Sequence, residues 1–205
     1  MTIVNTDALE ADVYTFTQRV FGLIHPTAGA AVAEFLNRTD RAMLPVTNAL
    51  VYQPGSPRPP AAQERVAVAS FYAVPKEQIL WIRSGYFEAA APLGYDTKRV
   101  AVYFDDYCIA GDIRLPHNSR LSDHLERSTR DKPFQRLFQA TVAPAPKGPN
   151  LDAANGQEFA ASEVLSVNFR NARGIAELTA TRQSAYEPAS RGSAVEVGKQ
   201  KSDSV

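Results

Sequence analysis

A stretch near the start of the chain recurs, without gaps, in its middle. Residues 13–39 can be laid on residues 102–128, and the identities then fall in strand interiors, at one glycine and on the apolar face of a helix. The clearest matches are Val13 with Val102, Tyr14 with Tyr103, Gly22 with Gly111, Ile24 with Ile113, Leu36 with Leu125 and Arg38 with Arg127. Because structure constrains such positions most strongly, this pattern indicates a tandem duplication.

The segments that follow each copy also recur, with small shifts. In each half an apolar strand leads into a long loop rich in proline or glycine, after which two apolar segments flank a polar turn. The matching pairs are 44–51 with 135–142, 53–62 with 143–156, and 66–82 with 164–178. The sequence therefore predicts two β-rich repeat units, residues 8–84 and 97–180, followed by a disordered polar tail at 181–205.

Each unit has the pattern hairpin, helix, strand, long loop, strand, strand. Residues 13–24 are β-branched and aromatic around a polar centre, which is typical of a hairpin, and residues 28–38 carry apolar side chains at helical spacing. The fold class predicted is mainly β with short helices (α+β), built from two tandem small antiparallel sheets or partly open barrels with one helix each. Units of roughly 80 residues bury little core, so we expect them to pack together or to oligomerise.

Composition narrows the possible partners and the cellular compartment. Lysine plus arginine and aspartate plus glutamate both number 22, so no overall field attracts nucleic acid or an anionic membrane. A single cysteine excludes an internal disulfide, and the acidic N-terminal segment has no long apolar run. These features predict a soluble cytoplasmic protein that does not enter a membrane.

The motif GDIRLP at 111–116, followed by RLSDHL at 120–125, resembles an uncharacterised bacterial domain family. That family has a hairpin ending in glycine, then Leu-Pro, a short spacer and Arg-Leu-Ser-Asp-x-Leu. The first unit keeps FLN at 35–37 and LPVTNA at 44–49, whereas His124 and Glu126 depart from the pattern. The resemblance implies this architecture and no established activity. A looser similarity, to Sm-like small barrels with a later RNA-contacting turn, is an analogy of fold.

Several side chains of the second unit have chemistry suited to a metal or acid–base site. Asp105 and Asp106 are adjacent, and His117, His124 and Cys108 lie nearby in sequence. Their spacing matches no established ligand motif, so we expect Asp105 and Asp106 in a turn, a partly buried structural His124 and an inert Cys108. The prediction is therefore that the chain has no catalytic residues, metal ligands or cofactors.

A basic segment spans residues 114–136 and carries six basic against three acidic residues. Arg114, Arg120, Arg127 and Arg130 are its candidate phosphate-binding residues. The alternative interpretation is a solvated helix face with ion pairs at i,i+4 spacing, such as Asp123 with Arg127. Stacking aromatics, expected of a single-strand platform, do not alternate with these arginines.

Trp81 lies in an apolar run directly before the linker between the units, and we expect it in the core, in the interface between the halves, or as a partner-binding residue. The residues that recur in the two units are structural, and no set of polar residues suited to a functional site recurs with them. The leading hypothesis is therefore a non-enzymatic binding or assembly protein whose partner is another protein or a second copy. The alternatives are nucleic-acid binding through residues 114–136 and, last, a metal-dependent enzyme using Asp105, Asp106, His117 and His124.

Overall fold

Antiparallel strands dominate the computed structural model, which describes residues 8–27, 29–54, 65–85, 94–145 and 160–178. The first half contributes β1 (Leu9–Thr15), β2 (Arg19–Ile24), α1 (Val32–Asn37), β3 (Met43–Tyr52), β4 (Arg65–Pro75) and β5 (Ile79–Ser84). The second half contributes β6 (Tyr95–Tyr103), β7 (Tyr107–Pro116), α2 (Leu121–Asp131), β8 (Phe134–Pro144), β9 (Ala160–Asn168) and β10 (Gly174–Glu177). The predicted mainly β fold with short helices is confirmed. The predicted tail at 181–205 and most of the two long loops lie outside the described residues.

All these strands belong to one sheet, in the order β10-β6-β7-β8-β9-β5-β1-β2-β3-β4. Each half supplies five neighbouring strands in the same order, with its fifth strand beside its first and then its second, third and fourth. The predicted division into two small sheets or partly open barrels is not confirmed, because β9 of the second half pairs with β5 of the first and both halves belong to one sheet. Two small sheets would each leave an unpaired backbone edge there, and pairing satisfies both edges.

The pairing registers of the two halves correspond residue by residue. In each half a valine of the first strand lies opposite both a residue of the second strand and an isoleucine of the fifth. These trios are Val13, Val20 and Ile82 in the first half, and Val102, Ile109 and Ile175 in the second. The third strands also share an irregularity, because Asn48 and Gln139 have positive φ angles of 50° and 46°. Identical order and register are what a tandem duplication would produce.

The glycine at the corresponding position of the two halves has a steric role. A Cβ atom on Gly22 would lie 2.6 Å from Val46 Cγ1 and 2.8 Å from the backbone oxygen of Thr47. A Cβ atom on Gly111 would lie 2.9 Å from Leu137 Cβ. The second and third strands of each half approach so closely at this point that only glycine fits without a shift.

The helices cover the two cores. The first core lies among β1 to β5 and includes Val32, Phe35 and Leu36 of α1, whereas the second core lies among β6 to β10 and includes Leu121 of α2. The predicted helix at 28–38 begins late, at Val32, because Gly29 has a φ of 76° and no side chain caps the helix start. Neither helix is long and apolar enough, within the described residues, to span a bilayer.

Candidate assembly interface

The pairing of β5 with β9 forms the junction between the halves. Its register places Trp81 opposite Val167, Ile82 opposite Ser166, and Arg83 opposite Leu165. The ladder is short, so its backbone hydrogen bonds alone would hold the halves together weakly. Side chains from both halves therefore reinforce it.

Three asparagines fix the backbone at the two sides of this junction. Asn37, at the end of α1, donates to the carbonyl of Phe134 at 2.8 Å and accepts from its N–H at 2.9 Å. Asn168 donates to the carbonyl of Ile79 at 3.0 Å, and Asn171 donates to the carbonyls of Ile79 at 2.9 Å and Glu77 at 2.7 Å. Each of these amides bonds backbone of the other half, so together they tie the two halves to each other beside the ladder.

The halves also exchange large apolar side chains. Phe134 of β8 is only 3% exposed and belongs to the first core, next to α1. Trp81 of β5 is 2% exposed, belongs to the second core, and stacks on Tyr14 at 4.5 Å between ring centroids. Tyr107 and Phe104 of the second half also lie against Trp81, with ring centroids 4.9 and 6.0 Å away. Trp81 is therefore an anchor of the intra-chain interface, and its role as a partner-binding residue stays a prediction.

The outer strands of the sheet have a different character. Within the described residues, β4 pairs only with β3, and β10 pairs only with β6. Most exposed large apolar side chains cluster at these two edges. They are Met43 at the start of β3, which also lines the groove between the halves, Val66, Val68 and Phe71 on β4, Tyr95 at the start of β6, and Leu178 directly after β10.

A groove of about 450 Å³ lies where the halves meet. The end of α1 and the turn between β4 and β5 line one side, and the end of α2 and the turn between β9 and β10 line the other. Five basic side chains line it, against Glu77 and Asp131; they are Arg38, Arg41, Lys76, Arg130 and Arg170. Partial burial lowers the pKa of Lys76, whose ammonium donates to the carbonyl of Arg38 at 2.9 Å.

The arginines that the sequence singled out lie in different environments. Arg114, on β7, holds its guanidinium 3.7 Å from the centre of the Phe138 ring, and Arg120 is exposed just before α2. Arg130 is exposed and lines the groove. Arg127 belongs to α2, but its side chain is not described. The groove also contains Arg38, Arg41 and Lys76 of the first half, which the sequence interpretation did not include because they are distant in the chain.

Asp105 and the two histidines considered for metal or acid–base chemistry lie in three separate pairs, and Asp106 follows Asp105 in the turn between β6 and β7. Asp105, in the turn between β6 and β7, accepts two hydrogen bonds from the Arg173 guanidinium, at 2.8 and 2.9 Å, which lowers the pKa of its carboxyl group. His117 contacts Asp96 at 2.9 Å, and His124 contacts Gln135 at 3.2 Å. Across the described ranges, no three His, Cys, Asp or Glu side chains lie close enough together to hold a metal ion.

The sole cysteine and the remaining histidine also lie in local structural contacts. Cys108 on β7 is half-buried, and burial raises the pKa of its thiol although a hydrogen bond with Tyr103 acts in the opposite direction. His25, after β2, contacts the Thr47 hydroxyl at 2.9 Å. A thiol with a raised pKa is a poor nucleophile at neutral pH.

One charged group was not identified from the sequence at all. Asp12 of β1 and Arg19 of β2 are 2% and 1% exposed, and they form a bidentate pair with both distances 2.7 Å. Arg83 of β5 adds a third bond to Asp12 at 2.9 Å, and the Arg19 guanidinium lies 4.9 Å from the Tyr14 ring centre. Burial, followed by the charge of Asp12, raises the pKa of Tyr14. The sequence signal that could have indicated this group is the presence of an acidic residue, Asp12, and a basic residue, Arg19, in the two otherwise apolar strands of one hairpin.

Comparisons of this chain with protein-family models, with curated proteins and with solved structures found no match. The resemblance to the bacterial domain family therefore stays a prediction from its motifs. Function has to be argued from the junction, the outer edges and the groove themselves.

Proposed function

We propose that this chain is a non-enzymatic assembly protein that binds protein partners through the outer edges of its sheet. The observation that carries the proposal is the contrast between edges that pair inside the chain and edges that carry exposed apolar side chains. Natural proteins usually protect a long edge strand with charges, prolines or a covering segment. An edge that remains available is a common site for strand addition by a partner.

The outer strand β4 has the features expected of such an edge. It is eleven residues long, and its side chains Val66, Val68 and Phe71 are each more than half exposed. Its only charged residue is Arg65, at one end. Water-exposed apolar side chains grouped on one strand are typical of an interaction site, and the outer backbone groups of β4, which have no strand partner among the described residues, supply directional hydrogen bonds.

The proposal predicts that charges on β4 abolish partner binding. The full chain, immobilised at low density, is used to retain partners from the cell of origin, and each retained protein is then purified and titrated against the chain. The double variant Val68→Lys/Phe71→Lys should weaken the measured binding by at least about tenfold, because it places two charges in an apolar contact. Phe16→Lys is the matched control, since Phe16 is also exposed but lies in the turn between β1 and β2.

Unchanged binding by the β4 double variant would contradict the proposal. So would a wild-type chain that binds neither a purified partner nor itself. Circular dichroism of each variant separates loss of binding from loss of the fold.

The junction groove favours a second candidate function, the binding of nucleic-acid phosphates. Its basic side chains come from both halves, and Arg170 is oriented by hydrogen bonds to the carbonyls of Thr129 and Arg130 at 3.3 and 2.6 Å. Guanidinium groups are suited to bidentate contacts with phosphate oxygens. This candidate extends the hypothesis for residues 114–136 to a surface that includes Arg41 and Lys76.

Fluorescence anisotropy with a labelled single-stranded RNA oligonucleotide tests this second candidate. Affinity should fall steeply as salt rises, because phosphate contacts release counterions. Arg41→Ala/Arg130→Ala should weaken binding, whereas Arg114→Ala, which alters an arginine outside the groove lining, should leave it unchanged. Binding that is insensitive to salt, or equal in all three proteins, would exclude the groove as the site.

A further inference from the structure

The two outer strands of the sheet correspond to the two strands that pair at the internal junction. At the internal junction, the fourth strand of the second half, β9, pairs with the fifth strand of the first half, β5. The outer strands are the fourth strand of the first half, β4, and the fifth strand of the second half, β10. The molecule therefore carries both partners of a junction whose geometry it displays in its own interior.

We infer that β4 of one molecule pairs antiparallel with β10 of a second copy, repeating the junction of β9 with β5 between molecules. This inference rests on the proposed function, since it names the partner of the edges. The occupant is a second copy because each edge is structurally equivalent to one that a neighbouring half already covers inside the chain. A head-to-tail contact of this kind is heterologous and leaves a free edge at each end of the pair.

The register of the new contact follows from the registers inside the halves. Val74 of β4 lies opposite Leu44 just as Val167 of β9 lies opposite Gln135, each at the second residue of its third strand. On the other side, Ile175 of β10 lies opposite Val102 as Ile82 of β5 lies opposite Val13. Transferring the internal register gives three pairs between copies: Gly174 with Val74, Ile175 with Ala73, and Ala176 with Tyr72.

An exposed methionine marks the position where the halves exchange an aromatic side chain. Met43 is the first residue of β3, as Phe134 is the first residue of β8. Phe134 is 3% exposed because it enters the core of the neighbouring half, whereas Met43 is 48% exposed. In the assembly, Met43 enters the second core of the next copy beside α2, and its burial contributes apolar contact there.

The polar reinforcement of the internal junction is only partly repeated at the outer edges. Gln78 ends its 3₁₀ turn as Asn171 does, so its amide can donate to backbone carbonyls of the next copy. Pro75 replaces Asn168 and cannot do so, and Gly174 replaces Trp81. The contact between copies is therefore weaker than the contact within the chain, and association depends on concentration.

Cysteine crosslinking tests the predicted register directly. Two full-length variants are made in a Cys108→Ser background, one with Ala73→Cys and the other with Ile175→Cys, and a short bismaleimide is added. The mixture of the two variants should give a crosslinked heterodimer, because directly opposite residues have Cβ atoms about 5 Å apart. Each variant alone should give none, and a chain carrying both cysteines should give a ladder of multimers. Thr17→Cys, in the turn between β1 and β2, replaces Ala73→Cys in the control mixture.

A crosslinked homodimer of the Ala73→Cys variant would overturn the inference, because it would show a symmetric contact between two β4 edges. Equal crosslinking of the Thr17→Cys control, or no crosslinking at high protein concentration, would overturn it as well. Sedimentation equilibrium provides a second measurement: Met43→Glu should raise the dissociation constant of self-association by about tenfold or more, and Phe16→Glu should leave it unchanged.

The outcomes separate this inference from the proposed function. If Val68→Lys/Phe71→Lys abolishes binding of another purified protein while the cysteine pair does not crosslink, β4 is a binding edge whose occupant is not a second copy. If crosslinking fails and the β4 variants bind every partner normally, both the proposed function and the inference are wrong.

Discussion

The two halves of the molecule share the same strand order and register but differ in the side chains at three neighbouring positions. The first half buries a charged group in the hairpin and its neighbouring fifth strand, whereas the second half has small, uncharged side chains at the corresponding register positions. The charged group is Asp12, Arg19 and Arg83, and the corresponding residues are Ala101, Cys108 and Ala176. Since both hairpins pair in the same register, the charges are not needed to form this arrangement of strands.

The difference has a structural consequence at the junction. Arg83 lies on β5, the strand that holds the second half, and its bond to Asp12 ties β5 to the first hairpin. The corresponding strand β10 is an outer edge, and the ion pair that ties it to β6, between Glu177 and Lys98, is partly exposed rather than buried. A buried ion pair adds little net stability compared with apolar residues of similar volume, but removing one partner alone is costly. The halves therefore differ in how they respond to single substitutions.

The largest expected effect is that of Asp12→Ala. The substitution leaves the Arg19 guanidinium, 1% exposed, without its bidentate partner, and we expect the free energy of unfolding to fall by about 3–5 kcal/mol. Urea denaturation followed by circular dichroism measures the change. The double variant Asp12→Ala/Arg19→Cys introduces the residue pair of the second half and should recover most of the loss. A single variant within about 1 kcal/mol of the wild type would show that water or a rearrangement satisfies Arg19.

Replacing the corresponding glycine with alanine should destabilise the protein more in the first half than in the second. A methyl group on Gly22 would lie 2.6 Å from Val46 Cγ1 and 2.8 Å from the Thr47 backbone oxygen, whereas one on Gly111 would lie 2.9 Å from Leu137 Cβ and 3.3 Å from the Phe138 backbone oxygen. We expect Gly22→Ala to lower the free energy of unfolding by about 1–3 kcal/mol and Gly111→Ala by less, because the clashes at Gly22 are closer and include one with backbone. Thermal unfolding ranks the two variants. Gly85→Ala is the control, because a Cβ atom there would have no atom within 4 Å among the described residues other than its chain neighbours, and an equal effect of all three would refute the steric argument.

Asn37, which bonds across the junction, should contribute more to the free energy of unfolding than Glu126, the corresponding residue of α2. Asn37→Ala removes both hydrogen bonds to the Phe134 backbone and should lower the free energy of unfolding by about 1–2 kcal/mol. Asn37→Asp keeps an acceptor for the Phe134 N–H, so its free energy of unfolding should lie between those of the wild type and Asn37→Ala. Glu126→Ala, at the corresponding position of α2, should change stability by less than about 0.5 kcal/mol. Urea denaturation of the three variants gives the comparison, and a cost in Glu126→Ala equal to that in Asn37→Ala would contradict it.

The sequence carried enough information for the elements of each half. Apolar periodicity located the hairpins, the helices and the strands to within a few residues, because local burial patterns follow the period of the backbone. The glycine that recurs at Gly22 and Gly111 could also be identified, since the same steric requirement holds in both halves. The prediction that Asp105 lies in a turn followed from ordinary turn preferences.

The joining of the halves could not be derived in the same way. Nothing in the residues of β5 or β9 specifies that they pair with each other, because backbone hydrogen bonds carry little sequence information. Phe134 and Asn37 are distant in the chain, and neither has a motif that indicates their contact. The buried Asp12 and Arg19 were overlooked for a related reason: charged residues usually indicate the solvent side of a strand, and only the structure shows both on the inner side.

The smallest expected effect concerns an ion pair that only the second half has. Asp105 corresponds to Phe16 of the first half, and its exposed carboxylate lies against the Arg173 guanidinium, which lowers its pKa. A lowered pKa in the folded state contributes stability above the unfolded value of about 3.9, and this contribution is lost as pH falls through the folded value. NMR titration of the Asp105 carboxyl carbon should therefore give a pKa below the ordinary range, and Arg173→Gln should return it toward that range. Lys98→Gln, which breaks the separate pair of Lys98 with Glu177, should leave the Asp105 pKa unchanged. If Arg173→Gln leaves the Asp105 pKa unchanged, the ion pair does not persist in solution. The β9–β10 turn would then be joined to the end of β6 by the hydrogen bond that the Arg173 backbone N–H donates to the Tyr103 carbonyl at 2.7 Å.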